Sequence, residues 1–145
     1  MGSIFKLSTL NKDKLNKLLT PIIFCHKEER IKHLLVEYDS VSLNEVLSAR
    51  LLNIDADKRN LLVTDVLNNI INNLGKVLII KDFEILFDPE YQIDVIKYFT
   101  LINRNKKVIV IWNGKYKDGK LTYAEPEYID YKSYNIKDYD ISCII

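Results

Sequence analysis

Short, almost continuously hydrophobic runs alternate with longer segments of mixed character along the chain. Residues 22–25 (IIFC), 77–80 (VLII) and 107–112 (KVIVIW) are such runs, and this pattern is typical of strands buried on both faces of a parallel sheet. Residues 39–43 (DSVSL) and 141–145 (ISCII) predict two further strands. We therefore expect an α/β fold in which 77–80 and 107–112 are adjacent parallel strands.

The segments between these runs carry apolar residues at helical spacing. The strongest pattern lies in 61–74, where positions 63, 66, 67, 70, 71 and 74 are apolar. We expect Asp55 or Asp57 to cap this helix and Gly75 to end it in the left-handed conformation. Further helices are predicted over residues 8–19, 27–38, 44–52 and 89–104.

The order of these elements predicts one domain, spanning residues 1–145, with helices on both faces of a mostly parallel sheet. Residues 1–19 form an N-terminal helix in this scheme, 20–113 the core, and 114–145 a hairpin and tail. The hairpin is expected around Asp118-Gly119, because this pair suits a two-residue turn.

The segment after the first buried strand is a candidate site, since ligands of parallel α/β sheets bind beyond the carboxyl ends of the strands. A P-loop there would read G-x-x-x-x-G-K-[ST], with glycines curling round a phosphate and a lysine neutralising it. Residues 26–33 read HKEERIKH, which puts Lys32 at the lysine position but supplies neither glycine. His33 replaces the magnesium-binding hydroxyl, and Glu28 and Glu29 add negative charge. We interpret the segment as a degraded phosphate loop.

Acidic and polar residues follow the next two buried strands. Lys81 stands where a Walker B segment has its first acid, and Asp82 and Glu84 come one and three positions later. Asp82 would ligate Mg²⁺ if the strand extended by one residue, while a polar turn after a buried strand explains the same residues. Asn113 stands where many ATPases have a polar residue that senses the γ-phosphate, although Asn-Gly is also an ordinary turn pair.

Composition and charge narrow the function classes. The chain is 48% hydrophobic and 28% charged, as ordinary globular proteins are, and its formal charge is +1. This net charge gives no argument for nucleic acid, membrane or an acidic ligand. A local basic segment at 103–107 makes Arg104, Lys106 and Lys107 candidates for a trans-acting arginine or for nucleic-acid contacts.

Cysteine and histidine usage argues against disulfides, metal sites and catalytic triads. Cys25 and Cys143 lie in apolar runs, as the buried thiols of a cytoplasmic protein do. No cysteine or histidine pair has metal-ligand spacing, and no serine-histidine arrangement is apparent. No segment is long and apolar enough to span a bilayer. The residues alone therefore favour a protein that is not an enzyme.

Several stretches together resemble the BrxF family, the small P-loop-containing components of type 3 BREX bacteriophage-defence systems. The most specific are FEILFDPE (83–90), NRNKKVIVIWNG (103–114) and DGKLTYAEPEY (118–128). The resemblance extends over residues 41–52 and 77–131 and into the tail.

This resemblance implies a three-layer P-loop NTPase-like core of the AAA or RecA type, working inside a multi-protein defence system. It places the lysine position at Lys32, the acidic positions at Asp82 and Glu84, and the sensor-like position at Asn113. The missing glycines, hydroxyl and first Walker B acid imply a non-catalytic or weakly nucleotide-binding protein that acts by assembly with other defence proteins or with itself. Two alternatives stay open: a switch driven by ATP and Mg²⁺, and a DNA-contacting adaptor.

Overall fold

A six-stranded parallel sheet and a three-stranded antiparallel sheet organise the chain. The computed structural model describes all residues, Met1–Ile145. The strand order is β1-β9-β2-β5-β4-β3 in the large sheet and β6-β7-β8 in the small one. The strands are β1 (Ser3–Phe5), β2 (Ile22–Phe24), β3 (Asp39–Ser42), β4 (Val77–Lys81), β5 (Lys107–Ile111), β6 (Lys115–Lys117), β7 (Lys120–Tyr123), β8 (Lys132–Asn135) and β9 (Ser142–Ile144).

Five α-helices connect or flank these strands. They are α1 (Lys12–Lys17), α2 (Glu28–Ile31), α3 (Leu43–Leu51), α4 (Arg59–Asn72) and α5 (Val95–Ile102). None of them is long and apolar enough to cross a membrane.

The predicted parallel pairing of the two most apolar runs is confirmed. β4 and β5 are hydrogen-bonded neighbours, with Val77 opposite Lys107 and Ile80 opposite Val110. β9 lies between β1 and β2, so Cys143 is the register partner of both Ile4 and Ile23. The two ends of the chain therefore meet inside one sheet.

Alternation along the strands divides the core into two layers, one on each face of the large sheet. Ile79 and Ile109 point to the face where Leu15 of α1 and Ile31 of α2 pack. The side chains that precede and follow these two along their strands, including Leu78, point to the opposite face and pack with α3, α4, α5 and the small sheet. Both faces are thus covered, as the continuous apolar runs predicted.

The connections between strands leave a crevice beside β2. Those after β1 and β2 run over the face covered by α1 and α2, and lead toward the β3 edge. Those after β3, β4 and β5 run over the other face, and lead toward the β1 edge. Right-handed crossovers require these opposite directions on opposite faces. β2 and β5 are therefore neighbours whose following segments part, which opens the carboxyl end of the sheet between them.

Three predicted helices are shorter than expected. Residues 8–19 form a 3₁₀ turn and then α1, because Asn11 accepts a hydrogen bond from the Lys14 amide and starts the helix anew. Residues 27–38 form α2 and a second 3₁₀ turn, with Ile31 leaving the helical conformation at φ −116°. Residues 89–104 begin as a 3₁₀ turn, and Asp94 then caps α5 by accepting from the Lys97 amide. The three 3₁₀ turns are Leu7–Thr9, Lys32–Leu34 and Pro89–Tyr91.

The predicted caps of α4 are wrong at both ends. Neither Asp55 nor Asp57 caps it, and α4 begins at Arg59 without a side-chain cap. Gly75 does not have a positive φ; Gly119, in the confirmed hairpin turn, is the glycine that does. The Lys106 ammonium group donates to the carbonyls of Leu74 and Gly75, in the segment that follows the helix.

Candidate functional site

A cavity of about 470 Å³ opens at the carboxyl ends of β2, β4 and β5, where the connections part. We call it the central cavity. Residues 25–29 line it from the β2–α2 segment, residues 81–82 from the end of β4, and residues 111–114 from the end of β5. This is the position at which an open parallel sheet binds its ligands.

The β2–α2 wall carries charge of the wrong sign for a triphosphate. The segment from Cys25 to Lys27 leads directly into α2 and contains no glycine, and Glu28 and Glu29 occupy the first helical turn. Across the whole lining, two ammonium groups face three carboxylates. These residues do not fit a nucleoside triphosphate and its Mg²⁺. The phosphates would face net negative charge, and no glycine-containing loop offers backbone amides to bind them.

Lys81 does not leave a free charge for a ligand. Its ammonium nitrogen lies 3.3 Å from both carboxylate oxygens of Glu28, which ties β4 to α2 across the cavity. Both side chains are partly exposed, so this ion pair contributes about 0–1 kcal/mol to stability.

Asp82 is held by the neighbouring strand. β4 extends to Lys81, one residue beyond its predicted end, so Asp82 follows the strand directly and lines the cavity. Its φ is +48°, its carboxylate accepts a hydrogen bond of 2.8 Å from the Ser42 hydroxyl, and its carbonyl accepts from the Asn44 amide at 2.6 Å. The carboxylate therefore already fastens the end of β4 to the end of β3.

Glu84 lies outside the cavity lining and has a structural partner. The side-chain amide of Asn44 donates to the Glu84 carboxylate, and the Asn44 carbonyl oxygen accepts from the Ile85 amide at 2.9 Å. Asn44 belongs to α3, so this side chain locks the turn after β4 onto that helix. The acid predicted to serve chemistry is thus part of a turn-to-helix contact.

The β5 wall combines an exposed amide with a fixed indole. Asn113 lines the cavity, and its side chain is exposed and makes no hydrogen bond within the chain. The Trp112 indole donates to the Thr122 carbonyl at 3.1 Å. A Cβ on Gly114 would lie 1.7 Å from the same carbonyl oxygen, so only glycine lets the wall approach the small sheet this closely.

Lys32 is not brought to the central cavity. It lies in the 3₁₀ turn after α2, is exposed, and lines a separate cavity of about 220 Å³ beside Tyr38 and Ile79. The structure therefore brings Asp82 and Asn113 together, but neither Lys32 nor Glu84 joins them in the lining.

The basic segment before β5 lies at the amino ends of the strands, away from the central cavity, because β5 begins at Lys107 and its carboxyl end faces that cavity. The Lys107 ammonium group donates to the Leu18 carbonyl, and burial lowers the pKa of Lys107. Lys106 donates to the carbonyls of Leu74 and Gly75 after α4. Arg104 is exposed and lines a cavity that also contains Asp140. Two of these three cations are thus used to satisfy backbone carbonyls.

The two cysteines form a thiol pair beside the central cavity. Cys25 lines the cavity, and its sulfur lies 3.5 Å from that of the buried Cys143. The hydrogen bond with Cys25 and burial raise the pKa of the Cys143 thiol. Because Cys143 pairs in register with Ile23 rather than with Cys25, a disulfide would require the backbones to shift.

A second cavity, of about 490 Å³, lies on the other side of His26, which lines both. We call it the flanking cavity. It sits at the carboxyl ends of β1, β9 and β2, and the sequence did not indicate it because β1 was not predicted. Its lining is Lys6, Leu7, Ser8, His26, Arg30 and Ile145.

Neither cavity contains a metal site of ordinary composition, since the chain holds no group of three or more His, Cys, Asp or Glu side chains that could bind a metal ion. Comparison of the chain with protein-family models, with curated proteins and with solved structures gives no match.

Proposed function

We propose that this chain is a non-catalytic P-loop-like component of a BREX-like anti-phage defence system, which acts through assembly with other proteins. The observation that carries the proposal is the central cavity: it occupies the ligand position of the sheet, yet carboxylates outnumber ammonium groups in its lining. A scaffold that keeps the sheet and has lost the phosphate loop is expected to serve through its contacts.

The order of the strands supports a P-loop-like origin. Numbered along the chain, the five strands from β2 to β5 and β9 lie in the order 5-1-4-3-2 across the sheet. This is the strand order of the AAA and RecA classes of P-loop ATPases. β1 adds a sixth strand outside it.

Exposed apolar side chains support a role in assembly. Leu52, after α3, and Leu61, near the start of α4, are 73% and 81% exposed. Tyr128 and Ile129 are exposed in the segment between β7 and β8. Single exposed apolar residues are common, and we propose that these four belong to the surface that a larger partner covers.

Protection of a bacterial host that carries the whole defence locus tests this proposal. Lys32→Ala and Asp82→Asn should leave the plaque count unchanged, because a scaffold needs neither residue for chemistry. The combined Leu52→Ser and Leu61→Ser variant should lose protection while keeping the thermal stability of the parent protein. Loss of protection in Lys32→Ala, with the fold intact, would favour the switch driven by ATP and Mg²⁺.

A further inference from the structure

The flanking cavity has the charge that the central cavity lacks. Lys6 and Arg30 bring two positive charges to its lining, Ser8 brings a hydroxyl, and none of the six lining side chains is a carboxylate. Like the central cavity, it lies at the carboxyl ends of the strands, with His26 between the two cavities.

Both cations of the flanking cavity are unpaired. The four ion pairs of the chain involve other residues, and neither the Lys6 ammonium group nor the Arg30 guanidinium group makes a hydrogen bond within the chain. Lys14, Lys106 and Lys107, in contrast, all donate to backbone carbonyls. The charges of Lys6 and Arg30 are therefore available to a ligand.

The imidazole between the cavities also lacks a partner. The Nε2 atom of His26 is buried and makes no hydrogen bond. An unsatisfied buried polar group costs about 1–3 kcal/mol, so such an atom in a native protein calls for an explanation. A polar atom bound in the adjoining cavity would supply the partner that the chain itself does not.

The walls of the flanking cavity are fixed by the backbone. The Thr9 amide and hydroxyl both donate to the Lys6 carbonyl, at 3.0 and 2.8 Å, which closes the turn after β1. The Leu7 amide donates to the Ile145 carbonyl at 2.8 Å, and the Cys25 amide donates to that of Ile144 at 2.9 Å. The three segments that carry the lining are thus held in place before any ligand arrives, which lowers the entropic cost of binding.

We propose that the flanking cavity binds the phosphoryl group of a small phosphorylated compound. Arg30 offers a planar fork that matches phosphate oxygens, and Lys6 adds a point charge, so the pair balances a dianion. Ser8 and His26 supply further hydrogen-bonding groups beside them. The site does not depend on the proposed scaffold role: His26 and Arg30 belong to the 26–33 segment, but the lining includes neither Lys32 nor any of Asp82, Glu84 and Asn113.

Calorimetric titration of the full chain with inorganic pyrophosphate at low salt tests the proposal. We expect saturable binding that Arg30→Gln and Lys6→Gln each weaken about tenfold, as loss of a charged hydrogen-bonding partner does. Lys32→Gln is the matched control, because it removes the same charge two residues after Arg30 but from a separate cavity, and it should leave binding unchanged. Absence of saturable binding, or an equal loss in Lys32→Gln, would overturn the proposal.

Two further measurements locate the bound group. Amide resonances of residues 6–8, 26 and 30 should shift on addition of pyrophosphate, and shifts confined to residues 81–82 and 111–114 would overturn the assignment. Ile145 belongs to the lining, and a carboxylate directly after it would repel a phosphoryl group. A Gly-Gly extension after Ile145 moves any such carboxylate away, so the affinity for pyrophosphate should stay equal or rise. Tighter binding of a short single-stranded DNA than of pyrophosphate, lost in the same variants, would contradict a small-compound site.

Discussion

The central and flanking cavities lie at the same end of the sheet and share one histidine, but Lys81 and Asp82 of the first are used differently from Lys6 and Arg30 of the second. In the central cavity Lys81 is paired with Glu28, and Asp82 is hydrogen-bonded to Ser42. In the flanking cavity Lys6 and Arg30 face the solvent without a partner. A sequence motif matched to the end of a strand can therefore locate a cavity. Whether the cavity can bind a ligand depends on whether its charged side chains already have partners within the chain.

The largest expected effect concerns the wall of the central cavity. Gly114→Ala should destabilise the protein by about 2–4 kcal/mol, because the new Cβ would overlap the Thr122 carbonyl and push the small sheet away. Urea unfolding measures this change.

Gly75→Ala is the matched control for that substitution. The nearest atom to a Cβ there is 4.0 Å away and the backbone is not left-handed. This variant should be neutral or up to about 1 kcal/mol more stable than the parent. Similar losses in both variants would show that the close approach of Gly114 to β7 is not what fixes the wall.

The next effect compares two asparagines that each come two residues after a strand. Asn44→Ala should cost about 1–3 kcal/mol, since it leaves the Ile85 amide and the Glu84 carboxylate without their partner. Asn113→Ala should cost close to nothing, because its exposed side chain has no partner. Thermal unfolding of both variants distinguishes structural from free polar groups, and a large loss in Asn113→Ala would contradict the account.

A smaller effect is expected at the ion pair that crosses the central cavity. Glu28→Gln should change the free energy of unfolding by less than about 1 kcal/mol, because both partners are partly exposed. The stability lost in Glu28→Gln should be smaller at high salt, because screening already weakens the exposed pair in the parent protein. A loss of several kcal/mol would mean that the pair holds α2 to the sheet.

The parts of the fold that the sequence predicted are those with a strong local pattern. β2, β4 and β5 are buried on both faces, so their apolar runs identify them without further information. β1 has three residues, two of them exposed, and it exists because Ile4 pairs with Cys143 at the far end of the chain. No local signal marks such a strand.

The same distinction applies to the candidate sites. Asp82 and Asn113 follow well-marked strands, so their meeting in the central cavity follows from the parallel sheet. Lys32 was placed there by motif position, but α2 ends one turn after it begins and carries this lysine elsewhere. Lys6 and Arg30 line the same cavity only because β1, β9 and β2 are neighbours in the sheet. The sequence close to either residue does not predict this pairing.

The most direct test of the central claim is calorimetric titration of the Lys6→Gln/Arg30→Gln double variant with ATP and Mg²⁺. This variant removes both cations of the flanking cavity and leaves the lining of the central cavity unchanged, so any remaining binding reports on the latter. The account predicts no saturable heat up to millimolar nucleotide, because carboxylates outnumber ammonium groups in the central lining and no backbone loop cradles a phosphate. Saturable binding that is then lost on Lys81→Ala or Lys32→Ala would show that the degraded loop still holds phosphate, and would contradict the non-catalytic scaffold.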